Sequence, residues 1–163
     1  MKAILDLPEQ HAQVLVLLIE KIHPAELPWA LTGSAGLRLQ GVDVSVNDLA
    51  LQTDAQTIYV LEQKLAEFMK VPVHVWESER TLSHHGQAEI NGLQVELLGD
   101  MRHRSPAGIW EPAVEIASVC VWVNWRELQV PVISLKHEAL AYEKIGRVQK
   151  AELIHSAIRK EIL

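Results

Sequence analysis

Apolar positions along the chain follow two different periods, and this predicts a protein built from both helices and strands. They recur at helical steps near the start, in the middle and at the end, and alternate with polar residues between these segments. Asp6 is the expected N-cap of the first helix, which has Pro8 near its first position and stops before Pro24. Its broad apolar face consists of Val14, Leu15, Leu17, Leu18, Ile19 and Ile22.

Two strands are predicted in the next part of the chain. The short apolar run 29–31 leads into Thr32-Gly33-Ser34, which is typical of a buried strand that ends in a glycine turn where a helix starts. Residues 48–52 alternate strictly, so that Leu49 and Leu51 share one face and Asp48, Ala50 and Gln52 share the other. The helix expected to follow has Asp54 as its cap and an apolar stripe of Ile58, Leu61, Leu65 and Phe68.

The second half of the chain is predicted to form more strands, followed by two helices. Strands are predicted at 71–76, 118–125 and 128–133, and a hairpin over 89–98 turns at Asn91-Gly92, a dipeptide suited to a type I′ turn. Ser134 is expected to cap a helix that ends at Gly146. The last helix carries the stripe Val148, Ala151, Ile154, Ala157, Ile158 and Ile162. These elements predict one α/β (α+β) domain over 1–163, with a mixed β-sheet flanked by helices and a C-terminal helical pair.

Composition narrows the possible partners. The 163 residues are 48% hydrophobic and 22% charged, with a net charge of -6 and one cysteine. One cysteine excludes a disulfide framework within the chain, and no apolar stretch is long enough to span a bilayer. The first residues lack the pattern of a signal peptide, so a cytoplasmic location is expected. The acidic balance disfavours nucleic acid, which requires clustered Lys and Arg, and favours a small molecule or a protein.

Three polar features that are far apart in the sequence have compatible chemistry. Gly33 and Ser34 form a turn after a strand, where glycine lets a phosphate approach the backbone N–H groups. Asp48 and Glu96 lie on the polar faces of two other predicted strands. Carboxylates on neighbouring strands can hold Mg²⁺, which prefers oxygen ligands and keeps substrate phosphates in its shell.

The segment 31–54 resembles the Gly-Ser turn, helix and Asp-x-Asp strand of the DNA polymerase beta-like nucleotidyltransferase superfamily. Shorter stretches, Glu77–Arg80, Gly86, Val95–Asp100 and Tyr142–Arg147 with Lys150, are similar to small bacterial members of uncharacterised function. The resemblance covers roughly residues 27 to 155 and implies a nucleotidyltransferase-like fold.

The resemblance also implies a reaction and the residues for it. Members transfer a nucleoside monophosphate from a nucleoside triphosphate to a hydroxyl group, with two metal ions held by three carboxylates. It assigns Gly33 and Ser34 to triphosphate binding, and Asp48 and Glu96 to metal binding and catalysis, with Glu96 as the candidate base. Lys144, with Arg147 and Lys150, could also contact the triphosphate. A solvated basic edge at a helix junction is the other interpretation of these three cations.

The sequence departs from the superfamily pattern at one position. The second Asp of Asp-x-Asp falls on Ala50, which has no ligand atom. Gln52 and Asp54 share its face, but each two-residue step along a strand is about 6.6 Å, too far for either to replace the missing ligand. We therefore expect a pseudoenzyme that holds Mg²⁺ weakly, binds a nucleotide or a partner, and has weak or no transferase activity.

Two other functions remain open. One is a working metal-dependent enzyme acting on a small hydroxylated acceptor, as the aminoglycoside and lincosamide nucleotidyltransferases of the superfamily do. The other is an interaction module of the toxin-antitoxin type, with a protein partner or a second copy of the chain.

The histidines and tryptophans are less informative. No Cys or His-x-x-x-His spacing among His74, His84, His85 and His103 supports a zinc site. The four tryptophans Trp76, Trp110, Trp122 and Trp125 could line a cleft and stack on a base, although core packing is the more common role of tryptophan.

Overall fold

The computed structural model describes residues 4–162. Its strands are β1 (Trp29–Thr32), β2 (Leu49–Thr53), β3 (Met69–Glu77), β4 (Thr81–Ile90), β5 (Leu93–His103), β6 (Cys120–Trp125) and β7 (Leu128–Ile133). Its helices are α1 (Glu9–Lys21), α2 (Gly33–Leu39), α3 (Thr57–Lys64), α4 (Ile116–Val119), α5 (Leu135–Lys144) and α6 (Val148–Ile162), with a 3₁₀ turn at Ala66–Phe68.

All seven strands form one mixed sheet in the order β3-β4-β5-β2-β1-β7-β6. β2 pairs parallel with β5 and antiparallel with β1, which in turn pairs parallel with β7. The remaining neighbours are antiparallel. The predicted fold class, a mixed sheet flanked by helices with two helices at the C-terminal end, is confirmed.

The main core lies between α1 and the centre of the sheet. Val14, Leu15 and Leu18 of α1 join one apolar cluster with Leu49 and Leu51 of β2, and all five side chains are buried. Burying one such side chain stabilises the fold by about 2 kcal/mol. The alternation of β2 therefore decides which face of the strand enters the core and which face is left for polar groups.

The predicted hairpin turn at Asn91-Gly92 is confirmed, but the hairpin is longer than the predicted range 89–98, since β4 begins at Thr81 and β5 continues to His103. β4 ends at Ile90 and β5 starts at Leu93, and Asn91 and Gly92 have φ values of 52° and 77°. Positive φ at both central residues is the requirement of a type I′ turn.

Other element boundaries also differ from the sequence prediction. Asp6 does not cap α1, which begins at Glu9 after Pro8; its carboxylate accepts hydrogen bonds from the Trp125 indole N–H at 2.7 Å and from Arg126 at 2.9 Å. The buried ring of Trp125 requires an acceptor, and Asp6 supplies it across 119 positions of sequence. A short helix, α4, replaces the start of the strand predicted from Ser118. Phe68 belongs to the 3₁₀ turn rather than to α3.

Within residues 4–162, no helix combines the length and the apolar character needed to cross a membrane. The C-terminal stripe is confirmed for Ala151 and Ile154, which are buried, but not for Val148, which is 65% exposed. The side chain of Ile162, its last predicted member, lies outside the described part of the chain, as do residues 1–3 at the other end.

Asp54 has the capping role predicted from the sequence. Its Oδ1 accepts hydrogen bonds from the backbone N–H groups of Gln56 at 3.0 Å and Thr57 at 2.6 Å. We predict that Asp54→Ala lowers the free energy of unfolding by about 1 kcal/mol, because these donors at the start of α3 lose their acceptor. Asp54→Asn, which keeps a side-chain oxygen, should lose less than half as much in urea denaturation. An Asn variant as unstable as the Ala variant would contradict the capping role.

Candidate functional site

A pocket of about 380 Å³ lies on the polar face of the sheet, between β1, β2 and β5 on one side and α5 and α6 on the other. The predicted residues Gly33, Ser34, Asp48 and Glu96 all line it. Because they come from α2, the start of β2 and the middle of β5, only the tertiary fold brings them together. We call this cavity the site pocket.

The register of three strands sets the floor of the site pocket. Thr32 of β1 is paired with Ala50 of β2, and Ala50 is paired with Glu96 of β5. Paired residues on neighbouring strands point to the same face of a sheet, so these three form one row beneath the pocket. The middle member of the row is an alanine methyl group.

Asp48 and Glu96 are close enough to influence each other. Burial raises the pKa of Glu96, and the negative charge of Asp48 raises it further. His85 acts in the opposite direction: its Nε2 lies 3.9 Å from Glu96 Oε1. Gln94 Nε2 also donates to the Glu96 carboxylate, at 3.3 Å. A carboxyl group with a raised pKa beside a second acid is suited to accepting a proton.

Neither of the two polar residues that follow Ala50 on its face supplies a carboxylate to the floor. Gln52 Nε2 donates to the Thr32 hydroxyl at 3.0 Å, so its amide is used within the sheet. Asp54 is held by the start of α3 through its capping hydrogen bonds. Among the residues that the structure describes, no group of three or more His, Cys, Asp or Glu side chains could hold a metal ion.

Glu138 also lines the site pocket, although it was not predicted from the sequence. It comes from α5, is 4% exposed, and accepts a hydrogen bond from the Thr32 hydroxyl. Burial raises its pKa to about 7, against the opposing effects of Thr32, the Gly33 backbone N–H and the positive charge of Lys150. A signal was present in the sequence, since Glu138 takes a place in the otherwise apolar stripe of Leu135, Ala139 and Tyr142.

The Gly33 turn is therefore stabilised by the buried Glu138 carboxyl group. Gly33 has φ 73°, a left-handed conformation that suits glycine, and its N–H interacts with the Glu138 carboxyl group. This contact and the Thr32–Glu138 hydrogen bond tie the end of β1 to α5. The turn that lines the site pocket thus depends on a buried acid from the far end of the chain.

The cations at the α5–α6 junction separate into two environments. Arg147 and Lys150 line the site pocket, and both lie over the ring of Tyr142, at 5.2 Å and 4.9 Å from its centroid. Burial and Arg147 lower the pKa of Lys150, while Glu138 raises it. Lys144 does not line this pocket: its Nζ lies 3.0 Å from Glu111 Oε2 in a neighbouring cleft.

Tryptophan does not line the site pocket. Trp125 is buried in the core, whereas Trp76 and Trp122 are 44% and 48% exposed at other places on the sheet. Trp110 lies under the guanidinium group of Arg104, which is 4.4 Å from its ring centroid. The aromatic group in the pocket wall is Tyr142, and burial raises its pKa to about 12.

The sheet, the glycine turn and the acids on β2 and β5 define a nucleotidyltransferase fold. The chain belongs to the aminoglycoside-2''-adenylyltransferase family, whose model matches residues 14–157. No curated protein matches the sequence.

Two solved structures share the fold. The chain is similar to a "putative nucleotidyltransferase" (TM1012) from Thermotoga maritima, with 33% identity over 96% of this chain and 97% of that one and a TM-score of 0.83. It also resembles the lincosamide antibiotic adenylyltransferase LnuA, solved with lincomycin bound, with 17% identity over 93% of this chain and 99% of that one and a TM-score of 0.56. At that identity, the second comparison concerns the fold alone.

We predict that Glu138 makes the stability of the protein depend on pH. In the unfolded chain its pKa is near 4.5, whereas in the folded chain it is about 7. Between these values the unfolded state releases the proton and the folded state keeps it, so the free energy of unfolding falls as pH rises, by about 3 kcal/mol in total.

Urea denaturation at pH 5 and pH 8 tests this for the wild type and Glu138→Gln. Other titrating groups are common to both proteins, so the wild type should lose about 2.5 kcal/mol more than the variant between the two pH values. Equal pH dependence in the two proteins would show that Glu138 titrates normally.

Proposed function

We propose that this protein binds a nucleotide or another small molecule in the site pocket, and that it transfers nucleotidyl groups weakly or not at all. The observation that carries the proposal is Ala50, which lies in the floor of the pocket between Thr32 and Glu96. In the DNA polymerase beta-like pattern, which remains our prediction for this chain, that position holds a metal-binding carboxylate.

The donor set does not fit a two-metal centre. Mg²⁺ requires six oxygen ligands at about 2.1 Å in octahedral geometry, and two ions in one site are normally bridged by shared carboxylates. Asp48 and Glu96 are the acids on the strand side of the pocket, and Ala50 offers no oxygen between them. We therefore derive no catalytic step through resident metal ions. In our proposal, Mg²⁺ binds only together with a triphosphate.

Ligand binding needs less than catalysis, and the remaining groups support it. The Gly33-Ser34 turn offers backbone N–H groups to phosphate oxygens, and Arg147 and Lys150 contribute positive charge in the same pocket. Asp48 and Glu96 can still share the cation that accompanies a triphosphate. Lys144 is less suited to the triphosphate role predicted for it, because its charge is engaged by Glu111.

A second candidate function is a working adenylyltransferase that modifies a small hydroxylated acceptor. Membership of the aminoglycoside-2''-adenylyltransferase family favours it, and so does the raised pKa of Glu96, which suits a base that accepts the proton of a hydroxyl group. Both candidate functions use the same pocket and the same nucleotide. They differ in whether a site without a carboxylate at position 50 catalyses nucleotidyl transfer.

Nucleotide binding is testable through thermal unfolding. We predict that Mg²⁺ with one or more nucleoside triphosphates raises the unfolding midpoint by about 5 to 10 °C at a hundredfold excess over Kd, because only the folded state binds. Lys150→Ala should weaken this shift, and Lys136→Ala, which removes an exposed charge outside the pocket, should not. No shift with any triphosphate would refute nucleotide binding.

Position 50 decides between the two candidates. If the site is disabled, Ala50→Asp should tighten Mg²⁺ binding in isothermal titration and raise Mg²⁺-dependent ATP consumption by about a hundredfold, since a lost metal ligand commonly costs several kcal/mol of transition-state stabilisation.

Ala50→Asn is the matched control, because it has nearly the size of the aspartate without its charge, and it should change neither quantity. ATP consumption that is already substantial in the wild type, and little altered by Ala50→Asp, would instead support the working enzyme. Aminoglycosides and lincosamides are the first acceptors to add in that assay.

A further inference from the structure

A second cavity, larger than the site pocket, lies beside it. It has a volume of about 570 Å³ and is lined by Arg80, Arg104, Ser105, Glu111 and Lys144 among others. We call it the arginine cleft. Nothing in the function proposed above uses it, and the resemblance drawn from the sequence assigns no role to either of its two guanidinium groups.

The two arginines are held close together by the backbone. Arg80 immediately precedes β4 and Arg104 immediately follows β5, and the backbone N–H of Arg104 donates to the carbonyl of Arg80 at 3.0 Å. Arg104 is positioned further by Trp110, whose ring centroid lies 4.4 Å from its guanidinium carbon. Arg80 lies against Gly146: a Cβ atom at position 146 would be only 2.7 Å from Arg80 Nη1. Trp110 therefore restricts the side chain of Arg104, whereas Arg80 lies beside Gly146 and is exposed.

Neither guanidinium group is satisfied by the protein. Among residues 4–160, the side chains of Arg80 and Arg104 make no hydrogen bond and no ion pair. Within this range, the Nε of Arg104 is buried without an acceptor. Buried donors without partners cost free energy, and an arginine that is held in place without a counter-ion is suited to binding one.

Three acids also line the cleft, and two of them already have a partner. Glu111 lies 3.0 Å from Lys144 Nζ, and Glu143 is hydrogen-bonded to His155 at 2.7 Å. The third, Glu79, is exposed, as is Arg80. The interior of the cleft thus offers more free donors than free acceptors, which favours a ligand rich in acceptors.

The arginine cleft continues towards the site pocket. Thr81, the neighbour of Arg80, lines the site pocket. A smaller cavity lies between the two and shares Gln52 and His103 with the site pocket and Glu111 and Lys144 with the arginine cleft. The two larger cavities are therefore neighbours, with a cavity of about 40 Å³ between them.

We propose that Arg80 and Arg104 form an oxyanion subsite, which binds the carboxylate or phosphate group of the molecule whose other end lies in the site pocket. The planar forks of two guanidinium groups match such groups through paired N–H···O hydrogen bonds. The inference rests on the proposed function in one respect: it assumes that the other end of the ligand lies in the site pocket. It implies that this protein acts on an anionic small molecule rather than on a polycation.

Inorganic phosphate and acetate are the probes, added to the full chain at constant ionic strength. One of them should raise the unfolding midpoint saturably, by about 2 to 4 °C at a fivefold excess over Kd. Which one does so identifies the group as phosphate or carboxylate. If neither anion has an effect beyond that of chloride, the subsite does not exist.

Three variants locate the bound anion. Arg80→Gln and Arg104→Gln should each weaken its binding at least tenfold, whereas Arg159→Gln, which removes an exposed charge paired with Glu152 on α6, should not. Arg80 is exposed, so its variant is expected to fold even if Arg104→Gln does not. Equal losses in all three would mean that net charge alone attracts the anion, which contradicts the proposal.

Lys150→Ala separates this inference from the proposed function. If Lys150→Ala abolishes anion binding while Arg80→Gln and Arg104→Gln keep it, the anion lies in the site pocket. The subsite proposal is then wrong, although nucleotide binding stands. If the arginines carry the anion and no nucleoside triphosphate binds, the subsite stands and the nucleotide proposal fails. The ¹⁵N resonance of Arg104 Nε provides a direct second readout, since it should shift on titration with the anion that binds.

Discussion

The register of β1, β2 and β5 is the constraint on which the candidate site depends. Leu31, Leu51 and Leu97 are paired in one row across these strands, and all three are fully buried. Burying each leucine stabilises the fold by about 2 kcal/mol, and a slip of one residue would turn polar neighbours into the core. The same pairing fixes the adjacent row of Thr32, Ala50 and Glu96 on the opposite face, where the site pocket opens.

The alanine in that row determines the chemistry that the pocket can support. A carboxylate between Thr32 and Glu96 would complete a set of acids able to concentrate metal ions, and without it Asp48 and Glu96 are the two acids on the strand side of the pocket. The remaining charge is arranged for holding a ligand: Arg147 and Lys150 lie on one wall, and Glu138 supports the glycine turn from within the protein. Under the proposed function, this arrangement keeps ligand binding and gives less electrostatic stabilisation to a nucleotidyl group in transfer.

Local patterns predicted much of this molecule, and long-range contacts account for what they missed. Alternation identified the buried face of β2, and Asn91-Gly92 identified the hairpin, because both signals act over a few residues. They also singled out Gly33, Ser34, Asp48 and Glu96, which the fold brings to one pocket. No local signal could pair Asp6 with Trp125 or Lys144 with Glu111, since each partner lies far away in the sequence. The role of Glu138 likewise required knowing that α5 packs over the end of β1.

The most direct test of the account is the number of divalent ions that the wild-type pocket holds. Mn²⁺ can be counted by electron paramagnetic resonance in the complex with a non-hydrolysable ATP analogue. The account predicts at most one bound Mn²⁺ per chain, the ion that accompanies the triphosphate. Two bound ions per chain would contradict it, because they would mean that the pocket assembles a two-metal centre without a carboxylate at position 50.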